Sequence, residues 1–435
     1  MSKILKNIGW LLFDKIFILI LQFFIGVKVA NYYGSSSFGL YNYALSIIAF
    51  SSILFELLND RIIKKFFEEY NFSKVIYNVN IFRNTMAILI LIFSIVIGKF
   101  LSISLLLYYT LILLSIDNVL LTSTQGIELY FDYNLNSKKI VILNNCIKLL
   151  SYFLQYIAII FEFSIIVVPI IRCIGSLVRI IALRIMYKNI YLKNIKRKPS
   201  FCKELILSIF KESFFLWIST VAVLIYTQID KIMLGNMLGD KEVGVYSIGV
   251  SLIQILSILI PPIQVSLFPK MLELYKKNKE DYIKFYLKSN TAITQMYFFG
   301  CITSIIFIKL IFLKLFSIEY KDAIIVYSIL TIMVFFKANG ALQTSHVTIK
   351  KITQKIFYKT FSGLFINIIL NYFFIKKYGI VGAAIATSIT NFLTLFVMDF
   401  FIKEYREQAW IQLKSFNPLN LKKQDTKRCG TEWNI

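Results

Sequence analysis

Residues 30–46 read ANYYGSSSFGLYNYALS, and residues 235–251 read GNMLGDKEVGVYSIGVS. Laid together without a gap at an offset of 205, they match Asn31 with Asn236, Gly34 with Gly239, Gly39 with Gly244, Tyr41 with Tyr246 and Ser46 with Ser251. Each stretch joins two long apolar blocks. A pattern repeated about half a chain away marks a duplicated helical unit, a common construction for membrane transporters with a site between the copies. The glycines have a use of their own: a helix that ends at Gly34 or Gly239 and restarts by Gly39 or Gly244 needs permissive backbone for a tight turn.

Composition sets the environment of that repeat. Of 435 residues, 57% are hydrophobic, 17% charged and 16% aromatic, with 40 Phe and 26 Tyr. A soluble domain carries about 25% charged residues and cannot hide so much apolar surface. The apolar blocks, mostly about 17 to 24 residues long, suffice to cross a hydrocarbon core about 30 Å thick. They place spans at 10–30, 40–59, 84–98, 104–124, 140–161, 165–186, 212–232, 244–266, 290–313, 323–345, 357–375 and 380–402. The expected fold is therefore all-α and integral to the membrane: twelve transmembrane helices in two six-helix lobes, related by a pseudo-two-fold axis along the membrane normal. Residues 1–190 form the first lobe, 191–211 a basic linker, 212–402 the second lobe and 403–435 a basic tail. The apolar run from Trp10 continues to Ala30 without a small-residue cleavage pattern, so it reads as a retained span and not a signal peptide. Pro261 and Pro262 in the eighth span, and Pro169 in the sixth, are expected to kink their helices.

The net charge of +24 would suggest nucleic acid in a soluble protein, but here it follows sidedness. Of the 48 Lys and Arg, 33 fall in segments on the N-terminal side of the membrane. The positive-inside rule puts that side, and both termini, in the cytoplasm. The opposite loops are short, leaving no room for an external catalytic domain. A single histidine, His346, provides no imidazole pair for a metal or a nucleophile's base, and is assigned no role at its loop edge. Five cysteines (Cys146, Cys173, Cys202, Cys301, Cys429) form no C-x-x-C pair, and no glycine-rich phosphate loop is present. The chain reads as a non-enzyme with no cofactor and no metal, driven by an ion gradient or by its substrate's own gradient.

Three motifs then carry a resemblance: G-x-x-x-(F/V)-G-x-Y after the first span of each half, QIDKIMLG at 228–235, and SLFPK at 266–270. Together they resemble the multidrug/oligosaccharidyl-lipid/polysaccharide exporter superfamily, and in particular its Wzx-type flippases of O-antigen or capsule repeat units. The resemblance implies two lobes around a cavity and alternating access. It implies transfer of an undecaprenyl-pyrophosphate-linked oligosaccharide from the cytoplasmic to the outer leaflet of a bacterial inner membrane. Membrane lipids, H+ or Na+ as coupling ion, and polysaccharide polymerase and chain-length proteins are the partners it implies; nucleic acid is not among them. A drug or cation antiporter of the same superfamily and a membrane polysaccharide polymerase are the alternatives. An excess of cations over carboxylates in the spans counts against the first, and short outer loops and duplicated halves against the second.

Ionisable groups in the hydrocarbon core are costly unless they face a cavity or a partner. A pyrophosphate calls for cationic counter-ions, and Lys15, Lys28, Lys148, Arg172 and Arg179 are the candidate binding residues. Arg172 and Arg179 stand two helical turns apart, on one face. Structural pairing, for example with Asp117, is the competing reading for these arginines, and snorkelling to an interface the one for Lys15. Asp230 resembles the acidic residue of the family's seventh span and is the candidate coupling or gating group, with Asp117 a second. The repeat sets Lys28 and Asp230 at similar depth, where they could pair across the cavity as a gate.

Overall fold

The computed structural model describes the backbone of residues 2–100, 103–134, 136–194, 200–352 and 354–421, with side chains throughout except at 2–16, 52, 97, 137, 189–194, 215, 219, 354 and 357. The Lys15 side chain, the middle of the expected linker and the end of the tail lie outside the described residues. The helices are α1 (Ser2–Ser51), α2 (Asp60–Glu69), α3 (Phe72–Phe100), α4 (Leu105–Thr122), α5 (Gln125–Tyr133), α6 (Ser137–Ile160), α7 (Val167–Asn194) and α8 (Lys203–Leu238). They continue as α9 (Asp240–Ser257), α10 (Ile260–Lys277), α11 (Lys279–Leu315), α12 (Ala323–Asn339), α13 (Gln343–Ile349), α14 (Gln354–Phe392), α15 (Met398–Phe401) and α16 (Arg406–Lys414). Among the described residues there is no strand, and nine helical stretches are long and apolar enough to cross a membrane.

Several expected spans are arms of one bent helix. α1 turns at Gly34 (φ 75°, ψ 168°) and α14 at Gly379 (φ 60°, ψ −137°), while Gly239 (φ 103°) separates α8 from α9. Positive φ strains any residue with a Cβ, so glycine stands at each of these corners. Gly34 and Gly239, matched by the repeat, thus do the same job. The break between α9 and α10 precedes Pro261 and Pro262, which sit in the first turn of α10 where a missing N–H costs nothing. Pro169 likewise falls in the first turn of α7, so it starts that helix and does not kink it.

The duplicated turns touch each other reciprocally. A Cβ added at Gly39 would lie 1.7 Å from the Asp240 carbonyl oxygen, and one added at Gly244 would lie 2.1 Å from the Ser35 carbonyl oxygen. Asp240 is Ser35 shifted by 205, so the two contacts are equivalent under the sequence repeat. Around this seam small residues let helices close up, the usual packing device where lipid supplies no hydrophobic drive. Ala30, Ala44, Ala323, Ala338, Ala383 and Ala384 are fully buried between α1, α9, α12 and α14.

Polar ties join the chain's first and second halves at both ends of the bundle. At the end carrying Gly34, Asn31 donates to the Leu315 carbonyl (2.7 Å) and accepts from the Ser317 amide (3.0 Å), and the Ser35 hydroxyl donates to Glu319 (2.7 Å). At the other end, the Trp217 indole donates to the Ile53 carbonyl (2.9 Å) and Lys65 pairs with Glu212 (2.9 Å).

The segment 203–211, expected as linker, is instead the start of α8. Leu205, Ile206 and Ile209 make an apolar stripe at helical spacing within a basic sequence, and it buries against Ile63 and Phe66 of α2 and Val75 of α3. Asn78 fixes the approach by donating to the Ser200 carbonyl (3.0 Å) and accepting from the Cys202 amide (2.7 Å). Part of the expected tail is also packed: Ser415, just after α16, accepts from Asn339 of α12 at 2.9 Å. His346 is no loop-edge residue; it is fully buried and shares a 2.6 Å hydrogen bond with the Tyr282 hydroxyl.

Candidate functional site

Beside the glycine seam lies a cavity of about 570 Å³, walled by α1, α4, α6 and α7, with α9 on the remaining side. Its polar lining comes from helical stripes. On α6, Asn144, Lys148, Ser151 and Gln155 recur at the spacing of one face, and on α7 Arg172, Ser176 and Arg179 do the same. Gly175 lets these two helices approach, since a Cβ there would stand 2.9 Å from the Ser151 hydroxyl. Gln22, Asn42, Ser251 and Gln254 add neutral polar groups from α1 and α9.

Three of the expected cations, Lys148, Arg172 and Arg179, and one expected carboxylate, Asp117, meet in this cavity. Arg172 grips Asp117 with two N–H groups, Nε at 3.2 Å and Nη2 at 3.1 Å, and its Nη1 donates to the Tyr41 hydroxyl at 3.3 Å. Ser176 donates to the other oxygen of Asp117, which is 3% exposed, whereas the arginine is 39% exposed. A buried carboxylate with three such donors is held in one position and orients the arginine that neutralises it. The structural pairing weighed from the sequence is therefore real for Arg172, although the residue still lines the cavity. The Cys173 thiol donates to the Leu113 carbonyl (3.2 Å) and ties α7 to α4 at the same level.

Arg179 is held differently. Its Nε donates to Asn144 at 3.2 Å and its guanidinium pairs with Glu128 of α5, while Nη1 is buried without a partner. Glu128 carried no signal in the sequence, because it lies in a short connecting helix 51 residues from its partner. It lines a second cavity, of about 220 Å³, together with Glu56, Asp60, Asp132, Gln125 and Arg83.

Lys28 and Asp230 do not meet. Lys28 is exposed between the buried Val27 and Val29, and it does not line the cavity that these neighbours line. Asp230 is buried, and accepts from the Tyr246 hydroxyl (2.7 Å), the Asn371 amide (2.6 Å) and the Thr387 hydroxyl (2.6 Å). An internal repeat transfers depth along a helix, but side-chain direction turns by about 100° per residue, so matched depth does not imply facing groups.

Comparisons place this architecture among known proteins. A family model described as polysaccharide biosynthesis protein matches residues 4–275. Two uncharacterized membrane proteins of Methanocaldococcus jannaschii are 27% and 25% identical over 239 and 178 residues, or 53% and 41% of this chain. Those matches span 46% and 41% of the relatives' own lengths, less than half. Among solved structures, a lipid II flippase in an inward closed conformation superposes with a TM-score of 0.68 at 19% identity, covering 93% of this chain and 90% of that one. A transporter of the multidrug/oligosaccharidyl-lipid/polysaccharide superfamily from Pyrococcus furiosus, described as having a binding pocket of reversed polarity, gives 0.63 at 12% identity, covering 96% and 97%. A multidrug transporter solved as a complex gives 0.64 at 12% identity over 93% and 95%. At these identities the structures establish a shared fold.

Proposed function

The chain belongs to the polysaccharide biosynthesis protein family, and from that premise we propose that it is a non-enzymatic flippase for polyprenyl-pyrophosphate-linked oligosaccharide repeat units in surface polysaccharide assembly. The observation that carries this reading is the cavity's charge. Lys148, Arg172 and Arg179 line it, and Asp117 is the one acidic residue in the lining among the described residues; Asp117 is engaged by Arg172 and Ser176, and Arg179 pairs with Glu128 from outside the lining. A desolvated cationic surface suits a diphosphate and repels a cationic drug. Neutral amides and hydroxyls on α1, α6 and α9 offer hydrogen bonds to sugar hydroxyls beside it. Twelve spans in two six-helix lobes, both termini in the cytoplasm and residence in a bacterial inner membrane complete the proposal, with substrate entering from the side rich in Lys and Arg. Asp230 serves as the coupling group, its carboxylate held among rotatable hydroxyls and amides that tolerate H+ or Na+ in turn.

The test is the sidedness of lipid-linked glycans in a strain lacking the protein, read with an impermeant glycan-modifying enzyme on right-side-out and inverted vesicles. Complete repeat units confined to the cytoplasmic leaflet are expected. Unpolymerised units at the outer face would instead mean a polymerase, and an unchanged lipid-linked pool would mean drug or cation transport.

A further inference from the structure

The two cavity arginines are held by carboxylates of unlike security. Asp117 takes two N–H groups from Arg172 and a hydroxyl from Ser176, and is almost wholly buried, so removing its arginine would strand a buried charge. Glu128 is 22% exposed and opens on the second cavity, which gives a displaced side chain somewhere to go. Among the described residues that cavity holds one cation, Arg83, beside the carboxylates Glu56, Asp60 and Asp132. Arg83 lines it, 3% exposed, bonded to Asp60 (2.7 Å) and Gln125 (3.1 Å), and its Nε has no partner. Arg179 likewise keeps Nη1 unpartnered. Two buried guanidinium groups, each with an unspent N–H, thus flank one movable carboxylate.

We propose that Glu128 is a latch: it occupies Arg179 until a prenyl diphosphate arrives, then yields the arginine to the diphosphate and moves within the second cavity toward Arg83. Arg172 orients the wall and Arg179 makes the exchangeable bond. The exchange replaces one charge-assisted pair with another at Arg179, and the released carboxylate shares Arg83 with Asp60 through the unpartnered Nε, in a cavity where Asp60 is half exposed and water screens the carboxylates. Because α5 packs on α2 and α3, the released side chain acts at the end of the bundle where Lys65 and Glu212 tie the halves. Glu128 is on this reading a positioning residue that competes with substrate.

The inference rests on the flippase reading, and one titration separates the two. Full-length protein in nanodiscs is titrated with farnesyl pyrophosphate, with inorganic pyrophosphate in a parallel arm to separate headgroup from free diphosphate. Wild type is expected to bind farnesyl pyrophosphate, Glu128→Gln to bind it at least about fivefold tighter, and Arg179→Gln at least about tenfold weaker. In the double variant the gain from Glu128→Gln should vanish, because no arginine remains to be released. Glu128→Asp, shorter but still charged, should restore competition and guards against a folding defect in the neutral variant. Equal affinities for wild type and Glu128→Gln would overturn the latch while leaving the flippase reading intact. No binding of farnesyl pyrophosphate by wild type would overturn both. Tighter inorganic pyrophosphate than farnesyl pyrophosphate would also overturn the proposal, because the latch would then answer to free diphosphate.

Discussion

Replacing Gly39 with alanine should part the seam between the duplicated turns and expose the cavity. The added methyl would sit 1.7 Å from the Asp240 carbonyl oxygen, whereas an ordinary carbon–oxygen contact is about 3.3 Å or longer. About 1.6 Å must therefore be recovered. The obstructing atom is backbone, so no rotamer change can supply the space and the two turns must separate. Overpacking of this kind costs roughly 1 to 3 kcal/mol, which shifts the population of the closed seam by a factor of about 5 to 150. Gly244→Ala meets the Ser35 carbonyl at 2.1 Å and should act in the same direction but more weakly. Gly300→Ala has nothing within 4 Å and is the control; as a helix-interior change it should cost nothing. The assay places one cysteine at Asn42, which lines the cavity, in a background lacking the native cysteines. The rate of labelling by an impermeant maleimide is then measured from the face carrying Ser36. Gly39→Ala should label at least about fivefold faster than the parent, Gly244→Ala at an intermediate rate, and Gly300→Ala at the parent rate. If Gly39→Ala labels and melts like the parent, the glycine contact does not hold the cavity shut.

Two further outcomes are expected. Asp230→Asn should fold normally, because the Tyr246 and Thr387 hydroxyls can turn to accept from the new amide, yet flipping should fall at least about tenfold; a wild-type rate would remove Asp230 from coupling. A cysteine at the exposed Ser36 should react with an impermeant thiol reagent from outside the cell while Cys202 does not, and the reverse pattern would invert the proposed topology.

Legibility in the sequence tracked the range of the interaction being read. Helical stripes are local, so Arg172 and Arg179 could be assigned to one face from spacing alone, and the polar positions of α6 from Asn144 to Gln155 carry the same signal. The turn glycines were readable because positive φ is a property of one residue, and Gly34 and Gly239 both adopt it. Long-range partners were not readable. Glu128 meets Arg179 from a separate short helix, Asp230 is met by side chains more than 100 positions away on α14 as well as by Tyr246, and no periodicity links such residues. The apolar stripe in 203–211 is masked in the sequence by the lysines at either end, which extend the basic run that precedes it.

The repeat and the chemistry also obey different rules. Tyr41 and Tyr246 are matched by the sequence repeat, and each hydroxyl faces a charge, yet the charges are opposite. Tyr41 accepts from Arg172 in the cavity wall, and Tyr246 donates to Asp230 in the second half. A phenol can do either, being donor and acceptor at once, so a tyrosine matched by the repeat stands beside a cation in one stretch and an anion in the other. Backbone requirements constrain both copies equally, since a carbonyl against a glycine leaves no alternative on either side of the seam. Side-chain charge has no such restriction. The surviving similarity therefore concentrates at Gly34, Gly39 and Tyr41 with their counterparts, where geometry or a two-way hydrogen bond is needed. Arg172, Arg179 and Asp230 lie outside the matched stretches, and the proposed function divides its labour there: substrate held by the first half, driving ion by the second.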